Sequence, residues 1–353
     1  MPAPYNVFQI TDTYELIRAI ELLQPKADFL TEAFFPEKTF INSDVAALEL
    51  LKEGKKLAAY ISGFKPVSAT RNASTQMLFK PPLIAARRLI TINDINGRIF
   101  GETPVISSKT PEERAIEMQS RDLNDLIGMV NRRKEAQASE LLQTGAITIT
   151  AYDDSGVAGT AETITFNNTN PTFTPTTTWD NASAKIFGDL RGLCDDIAEA
   201  GGALPNMLVL GKNVEGYLIN NKEMKEWLMV PSRQNLAMMS FEPKYLYPGV
   251  RFIGYLSALG LEVYSYNQTY VDDSGNTVPF IGDDKAVLGV SGRGQQVYGL
   301  VSLLSENAWQ SFSAEYVPYY FANEDTQQSA LTVYSRCLLA PAVVTDFITI
   351  NAA

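Results

Sequence analysis

The apolar positions of this chain fall into segments with different periods. Over residues 12–24, Leu16, Ile17, Ile20 and Leu23 share one helical face, and Pro25 ends the segment. The next stretch, ADFLTEAFFPEKTFI, is rich in apolar and aromatic residues but has no sustained helical period. It has no core of its own. It reads as an arm that has to bury Phe29, Phe34, Phe35 and Phe40 against something else, the alternative being an N-terminal strand tucked into its own domain. Residues 62–94 alternate loosely around a small polar centre, Thr70-Arg71-Asn72-Ala73-Ser74, which predicts a long two-stranded excursion. Lys80-Pro81-Pro82 interrupts its ladder, because proline has no N–H to donate.

The longest helical period runs over 110–144. Thr110 suits the N-cap, Pro111 the first helical position, and Glu113 completes a capping box. Ile116, Leu123, Ile127, Val130, Leu141 and Leu142 form the stripe, and Gly145 closes it. Such a rod is ~50 Å long, where ordinary helices average ~11–12 residues. Its stripe has no sustained heptad, which argues against a coiled-coil arm. Strands 146–152 and 161–166 then flank Asp153-Asp154-Ser155-Gly156 as a hairpin, and a Thr/Asn/Pro-rich connector over 167–180 marks a domain boundary.

Residues 181–300 read as α/β. Ile186, Leu190, Leu193, Cys194 and Ile197 make an amphipathic helix capped by Gly201-Gly202. A buried-type strand follows at 207–210, a second helix at 213–228, and strands at 250–256, 261–267 and 285–290. Asp272-Asp273-Ser274-Gly275-Asn276 reads as a hairpin turn. The C-terminal part is again strand-like, over Phe312–Tyr320, Ala330–Leu339 and Val343–Ile350.

Composition narrows the function more than the fold. The 353 residues are 45% hydrophobic and 20% charged, which excludes wholesale disorder and suits two or three compact units. A net charge of −11 argues against bulk nucleic-acid binding. Within 62–94, Lys65, Arg71, Lys80, Arg87 and Arg88 oppose only Asp94, giving +4 there and −15 elsewhere. A basic hairpin on an acidic protein is attracted to acidic surface, including that of another copy. Only Phe64 and Phe79 interleave with its basic residues, too few for base stacking.

The absence of histidine excludes Ser-His-Asp and Cys-His catalysis and the His-based zinc sites. Cys194 and Cys337 form no CxxC pair and read as buried thiols in a reducing compartment. Asp153-Asp154, Asp272-Asp273 and Asp283-Asp284 sit at turns without EF-hand spacing. Ser291-Gly292-Arg293-Gly294 matches no phosphate-binding motif and reads as a turn. No metal, cofactor or catalytic residue is nominated. The N-terminus lacks the pattern of a signal peptide, and no stretch reaches the ~18 apolar residues of a membrane span.

Several motifs, in order, resemble those of the major capsid protein E family, the lambda-type branch of tailed-phage major capsid proteins. Phe79-Lys80-Pro81-Pro82-Leu83-Ile84 with Arg87-Arg88 is similar to the family's F-x-P-P-x-I segment, and Arg98-Ile99-Phe100-Gly101-Glu102 to its R-x-x-G-E stretch. Asn131-Arg132-Arg133-Lys134-Glu135 with Glu140–Gly145 resembles the end of its spine helix. Trp179, the helix after it and Leu204–Gly211 resemble the start of its axial domain, and Gln328-Ser329-Ala330-Leu331 with Ala340-Pro341 its closing strands. The resemblance implies an α+β, Hong Kong 97-like fold. Its parts would be an N-terminal arm (1–44), the start of the peripheral domain (45–61) and an extended loop (62–95). The peripheral domain proper would follow (96–178, spine helix 110–144, hairpin 146–166), then an axial domain (179–304) and return strands (305–353).

The function so implied is structural: hexamers and pentamers in an icosahedral shell around double-stranded phage DNA, held in the virion and assembled in the host cytoplasm. Inter-subunit contacts would come from Lys65, Arg71, Phe79, Lys80, Pro81, Pro82, Arg87 and Arg88 of the loop and Phe29, Phe34, Phe35 and Phe40 of the arm. A scaffolding protein and a portal protein are implied partners, with room for a decoration protein. No enzymatic activity, cofactor or membrane is implied. An encapsulin-like compartment and a carboxylate-dependent hydrolase are the alternatives. Nothing places an acceptor asparagine or a catalytic carboxylate beside Lys65 or Lys80, so covalent cross-linking is not inferred.

Overall fold

Strand Met207–Leu210 is buried at every position, and its side chains divide alternately between two cores. Met207 and Val209 face one core, while Leu208 and Leu210 face the other. An unbroken apolar run is what a strand covered on both faces requires. The computed structural model describes residues 28–43, 46–51, 74–91, 111–152, 158–166, 172–201, 203–229, 247–305, 308–323, 328–343 and 345–353, with positions 13, 16–18 and 20. Lys65, Arg71, Thr110 and Asp153-Asp154 lie outside the described residues.

Met207–Leu210 sits in the middle of a mixed seven-stranded sheet. The order is Thr172–Phe173, Phe347–Asn351, Lys285–Gly289, Met207–Leu210, Leu261–Tyr266, Val250–Leu256 and Leu228–Met229. One face is covered by helix Ile186–Gly201, through Ile186, Leu190, Leu193, Cys194 and Ile197, and by helix Lys212–Asn220, through Val214 and Leu218. Cys194 is thus a packing residue, as its place on the stripe predicts. The single helix expected over 213–228 is instead two, Lys212–Asn220 and Lys222–Trp227. Asn221 breaks it, because its Oδ1 accepts the N–H groups of Glu223 and Met224 and starts a new helix.

A second sheet has five strands. Glu37–Phe40, Gln295–Tyr298, Gln328–Ala340 and Val317–Asn323 pair in that order, and Leu83–Thr91 also pairs with Gln328–Ala340. Helix Pro111–Thr144 joins the two sheets. Its first half lays Leu123, Leu126, Ile127 and Val130 on Ala86, Leu331 and Val333 of the five-stranded sheet. Its last turns drive Ala138, Leu141 and Leu142 into the core shared with the seven-stranded sheet. Gly145, with φ of 72°, ends it and donates its N–H to the Leu141 carbonyl. Strands Ala146–Tyr152 and Ala158–Thr165 form the predicted hairpin. The strand expected over Phe312–Tyr320 is split. Ala308–Phe312 pairs with Val301–Ser305, and Val317–Asn323 joins the five-stranded sheet.

The excursion predicted over 62–94 is divided differently. Ala46–Leu51 pairs with Ser74–Phe79 as a separate two-stranded sheet. Leu83–Thr91 is a strand of the body, in register with Gln328–Arg336 from end to end. Its alternation explains this: Ile84 and Ala86 turn toward the core with Arg88 and Ile90, while Leu83, Ala85, Arg87 and Leu89 face out. Pro81 and Pro82 separate the two ladders, and the buried Pro81 offers its carbonyl to Arg336 Nε.

The arm also departs from expectation. Phe29, Phe34 and Phe35 are fully buried, and what buries them is the chain's own core. They sit on a short helix, Phe29–Phe34, wedged between the long helix and the loop at 291–294. Leu16 and Ile20 of the N-terminal helical segment are buried too, Ile20 against the long helix and the five-stranded sheet. Gly294 is where this wedge is tightest: a Cβ there would lie 2.2 Å from Phe35 Cδ1 and 2.7 Å from the Phe34 carbonyl oxygen. Gly294→Ala therefore lowers stability by about 1–3 kcal/mol by overpacking. The check is a lowered urea midpoint in equilibrium unfolding with an unchanged m-value.

Candidate assembly interface

Two neighbouring charged residues hold the arm. Lys134 and Glu135 lie on the buried side of the long helix, one turn past Val130. Glu135 Oε1 accepts the Leu30 N–H at 2.7 Å and the Tyr266 hydroxyl at 3.0 Å. Its Oε2 accepts the Thr31 N–H at 2.9 Å and the Thr31 hydroxyl at 2.7 Å. Asp28, at the N-cap of the arm helix, makes no side-chain cap bond, so Glu135 satisfies the helix's free N–H groups from outside. At the other end, Gly292 and Gly294 donate N–H groups to Ala33 and Phe34, and Gln296 donates to the Phe35 carbonyl. The glycine-rich turn thus serves as the C-terminal cap of a helix far from it in sequence.

Lys134 is only 2% exposed and uses all three donors. Its Nζ lies 2.9 Å from Glu315 Oε1, 3.0 Å from the Tyr298 hydroxyl and 3.3 Å from the Tyr316 hydroxyl. It also stands 4.3 Å from the Tyr316 ring centre, a cation–π distance. Glu315 takes a second cation, Lys38 of the arm, at 2.5 Å. Burial raises the Glu315 carboxyl, but Lys134 and Lys38 outweigh it and hold it at about 2. Burial dominates at Glu135, where it overrides the hydrogen bonds from Leu30 and Thr31 and pushes the carboxyl up to about 7.

These residues were not nominated from sequence. The signal was present: Val130, Lys134, Ala138 and Leu141 follow i, i+4, i+8, i+11, which places a lysine on the apolar stripe.

The expected contact residues fall into three groups. Phe29, Phe34 and Phe35 are withdrawn into the core and unavailable to a neighbour. Phe79 and Pro81 serve the chain itself, Phe79 with its ring 5.2 Å from Phe166. Arg88 is likewise engaged at home, 2.5 Å from Asp122 and 3.1 Å from Asp125 of the long helix, so it does not wait for a neighbour's carboxylate. Phe40, 49% exposed on the edge strand Glu37–Phe40, remains at the surface with Lys80 and Arg87, and Pro82 is half-buried.

The surface offers groups that sequence reading missed. Leu89, Ala330 and Phe321 lie side by side on three adjacent strands, and both large members are about half exposed. Leu304 and Trp309 face each other across the hairpin Val301–Phe312, with Trp309 76% exposed. Each is a short apolar row on sheet surface that the monomer leaves uncovered. Among the described residues there is no His/Cys/Asp/Glu group able to hold a metal, and both cysteines are buried and free.

The family model for phage major capsid protein E matches residues 12–346. In solved structures, the chain is similar to a protein described as a prophage capsid protein, from Escherichia coli CFT073. The identity is 17% and the TM-score 0.69, covering 97% of this chain and 99% of that one. It is also similar to a phage-related protein from Bordetella bronchiseptica RB50, at 10% identity and a TM-score of 0.55, with 96% of each chain covered. No curated protein matches the sequence.

The two glutamates predict opposite pH dependence. Glu315 ionises below its ordinary 4.5, so its stabilisation is present above about pH 4.5 and is lost as pH falls toward about 2. Glu135 ionises above 4.5, so its contribution is full below about pH 4.5 and is lost as pH rises through about 7. Urea unfolding across this range should show the decline between about 4.5 and 7 flattened by Glu135→Gln, and the acid loss reduced by Glu315→Gln. Lys134→Met should lower stability by about 3–5 kcal/mol, because it removes one of the two cations on the largely buried Glu315 and the shared partner of the Tyr298 and Tyr316 hydroxyls.

Proposed function

The chain belongs to the phage major capsid protein E family and has the Hong Kong 97-type capsid fold, and from that premise we propose how its subunits join. Its role is that of a structural capsid protein. Hexamers and pentamers form through an axial domain at about 179–304, which contains the seven-stranded sheet's central strands, and they close into an icosahedral shell around double-stranded DNA. Residues 1–44 act as the arm, and the extended loop, expected over 62–95, is taken as the part carried by the ladder Ala46–Leu51 with Ser74–Phe79, ending before the body strand Leu83–Thr91. The peripheral domain at 96–178, with the return strands at 305–353, forms the subunit's outer flank.

The observation that carries this reading is the division between satisfied and unsatisfied groups. The core and the arm phenylalanines are closed within the chain, whereas Phe40, Leu89, Phe321, Leu304 and Trp309 stand on sheet surfaces with apolar area uncovered. Lys65 and Arg71 of the loop, with Lys80 and Arg87 near it, supply positive charge against an otherwise acidic chain. Exposed ion pairs contribute ~0–1 kcal/mol each, so they set register. Apolar burial at ~25 cal/mol per Å² supplies most of the affinity.

The net charge of −11 fits a container that releases its DNA, because it offers few cations to displace counterions. A scaffolding protein during assembly, a portal protein at one vertex and a decoration protein are the partners this reading brings, with assembly in the host cytoplasm. No helix among the described residues is long and apolar enough to cross a membrane.

Deleting residues 54–71 should leave a folded subunit with native unfolding behaviour that no longer forms particles. Sedimentation velocity and electron microscopy of the purified protein read this directly. Normal shells from the deleted protein would refute the loop's part in assembly. Particles filled with a protein cargo in place of DNA would point instead to an encapsulin-like compartment.

A further inference from the structure

The hairpin Val301–Phe312 forms a two-stranded sheet of its own, apart from both larger sheets. Its alternation separates two faces. Val301 and Phe312 are buried with Val317, and Leu303 packs beside them. Ser302, Leu304, Trp309 and Ser311 lie on the opposite face and are exposed, Trp309 at 76% and Leu304 at 49%. The body also fixes the row by its backbone, since Tyr319 Oη donates to the Leu304 carbonyl at 3.0 Å. A large apolar anchor on a fixed support is the form taken by the residues that dominate protein interfaces.

Two observations indicate what covers this row. The first is charge. From Leu300 to Ala314 the one charged residue is Glu306, in the turn, outside the described residues. Other exposed apolar residues have charged neighbours: Leu89 shares its face with Arg87, and Phe40 shares its face with Lys38. Copies of net charge −11 repel one another. Close to a symmetry axis a surface also meets its own image, so a charge there faces a like charge. An uncharged row escapes that penalty, and it gives a strongly acidic or basic partner nothing to pair with. The second is polar satisfaction. The Ser302 and Ser311 hydroxyls bond each other at 2.8 Å, so a partner can cover them without supplying a donor. A second copy of the same row meets both conditions.

The available area sets when the contact forms. Trp309 and Leu304 offer roughly 300 Å² between them, against ~800 Å² per partner in a stable complex. The row alone does not hold a free dimer. It contributes where other contacts have already brought two copies together.

We infer that the Leu304–Trp309 row packs against the same row of a second copy of the chain, across a symmetry axis of the assembled shell. The inference rests on the shell reading and assigns this hairpin a self-contact within it. Two measurements on the full chain test it. Wild-type subunits and wild-type particles are footprinted with hydroxyl radicals and read by mass spectrometry. Trp309 is expected to be oxidised in free subunits and protected in particles. Ser311→Cys then adds the one accessible thiol, because Cys194 and Cys337 are buried. A short bis-maleimide is expected to convert subunits of the Ser311→Cys particles into covalent dimers on a denaturing gel, and to leave unassembled subunits monomeric.

Well-formed wild-type particles in which Trp309 is still oxidised would overturn the inference while leaving the shell reading intact, and would free the row for a different protein. Protection of Trp309 already in the free subunit would give the row to the chain's own residues and overturn it equally. Protection in particles without covalent dimers would place the row against another surface of the neighbour, with the same consequence. Wild-type subunits that form no particles would remove the shell reading, and the inference with it.

Discussion

The fold depends on two ionisable residues placed side by side in the middle of a buried helix face. Lys134 and Glu135 point to different neighbours, so one short stretch of helix governs two attachments. Glu135 holds the start of the arm helix and Tyr266 of the seven-stranded sheet, while Lys134 holds Glu315 and two tyrosines on the five-stranded side. Apolar side chains at these positions would fill the same space without the desolvation penalty, and buried ion pairs are weak contributors to net stability for that reason. What the charged pair adds is direction. A leucine tolerates a sliding neighbour, whereas a carboxylate with four donors fixes the arm at one register.

That register determines what remains for the outside. Once the arm helix is seated, the N–H groups of Leu30 and Thr31, the carbonyls of Ala33 and Phe34 and the three phenylalanines are used within the chain. The seven-stranded sheet has both faces of its central strands covered. Among the described residues, the apolar surface left uncovered includes short rows on the sheets such as Leu89 with Phe321 and Leu304 with Trp309. A subunit that is complete inside and incomplete only at its margins is suited to tiling.

Much of this was legible before any coordinates. The long helix, the flanking hairpin, Met207–Leu210, Val250–Leu256 and the Asp272–Asn276 turn come directly from period and turn chemistry, and they stand within a residue or a few of their expected bounds. The failures share one cause, which is that period reports a buried face but does not say what buries it. The phenylalanines of the arm looked unpartnered because Glu135, Gly294 and Gln296 lie so far away in sequence. Arg88 looked like a free cation on a loop because the carboxylates of Asp122 and Asp125 belong to the helix beneath it. Leu83–Thr91 looked like a returning limb because local alternation is the same for a projecting strand and a sheet strand; only its pairing with Gln328–Arg336 separates them.

The same distinction bears on why weak margins suffice. A lone pair of subunits joined by a few half-exposed apolar residues and screened charges would dissociate readily, since association itself costs several kcal/mol of lost freedom. In a closed shell each copy is held by several neighbours at once, and after the first contact the others form between groups already brought near. Strong individual contacts would be a liability there, because a misplaced subunit could not leave. Keeping the phenylalanines inside and offering only modest apolar rows and charges outside lets errors dissolve while the finished lattice persists. The buried Lys134–Glu135 pair thus sets the strength of assembly indirectly, by deciding which hydrophobic residues never reach the surface.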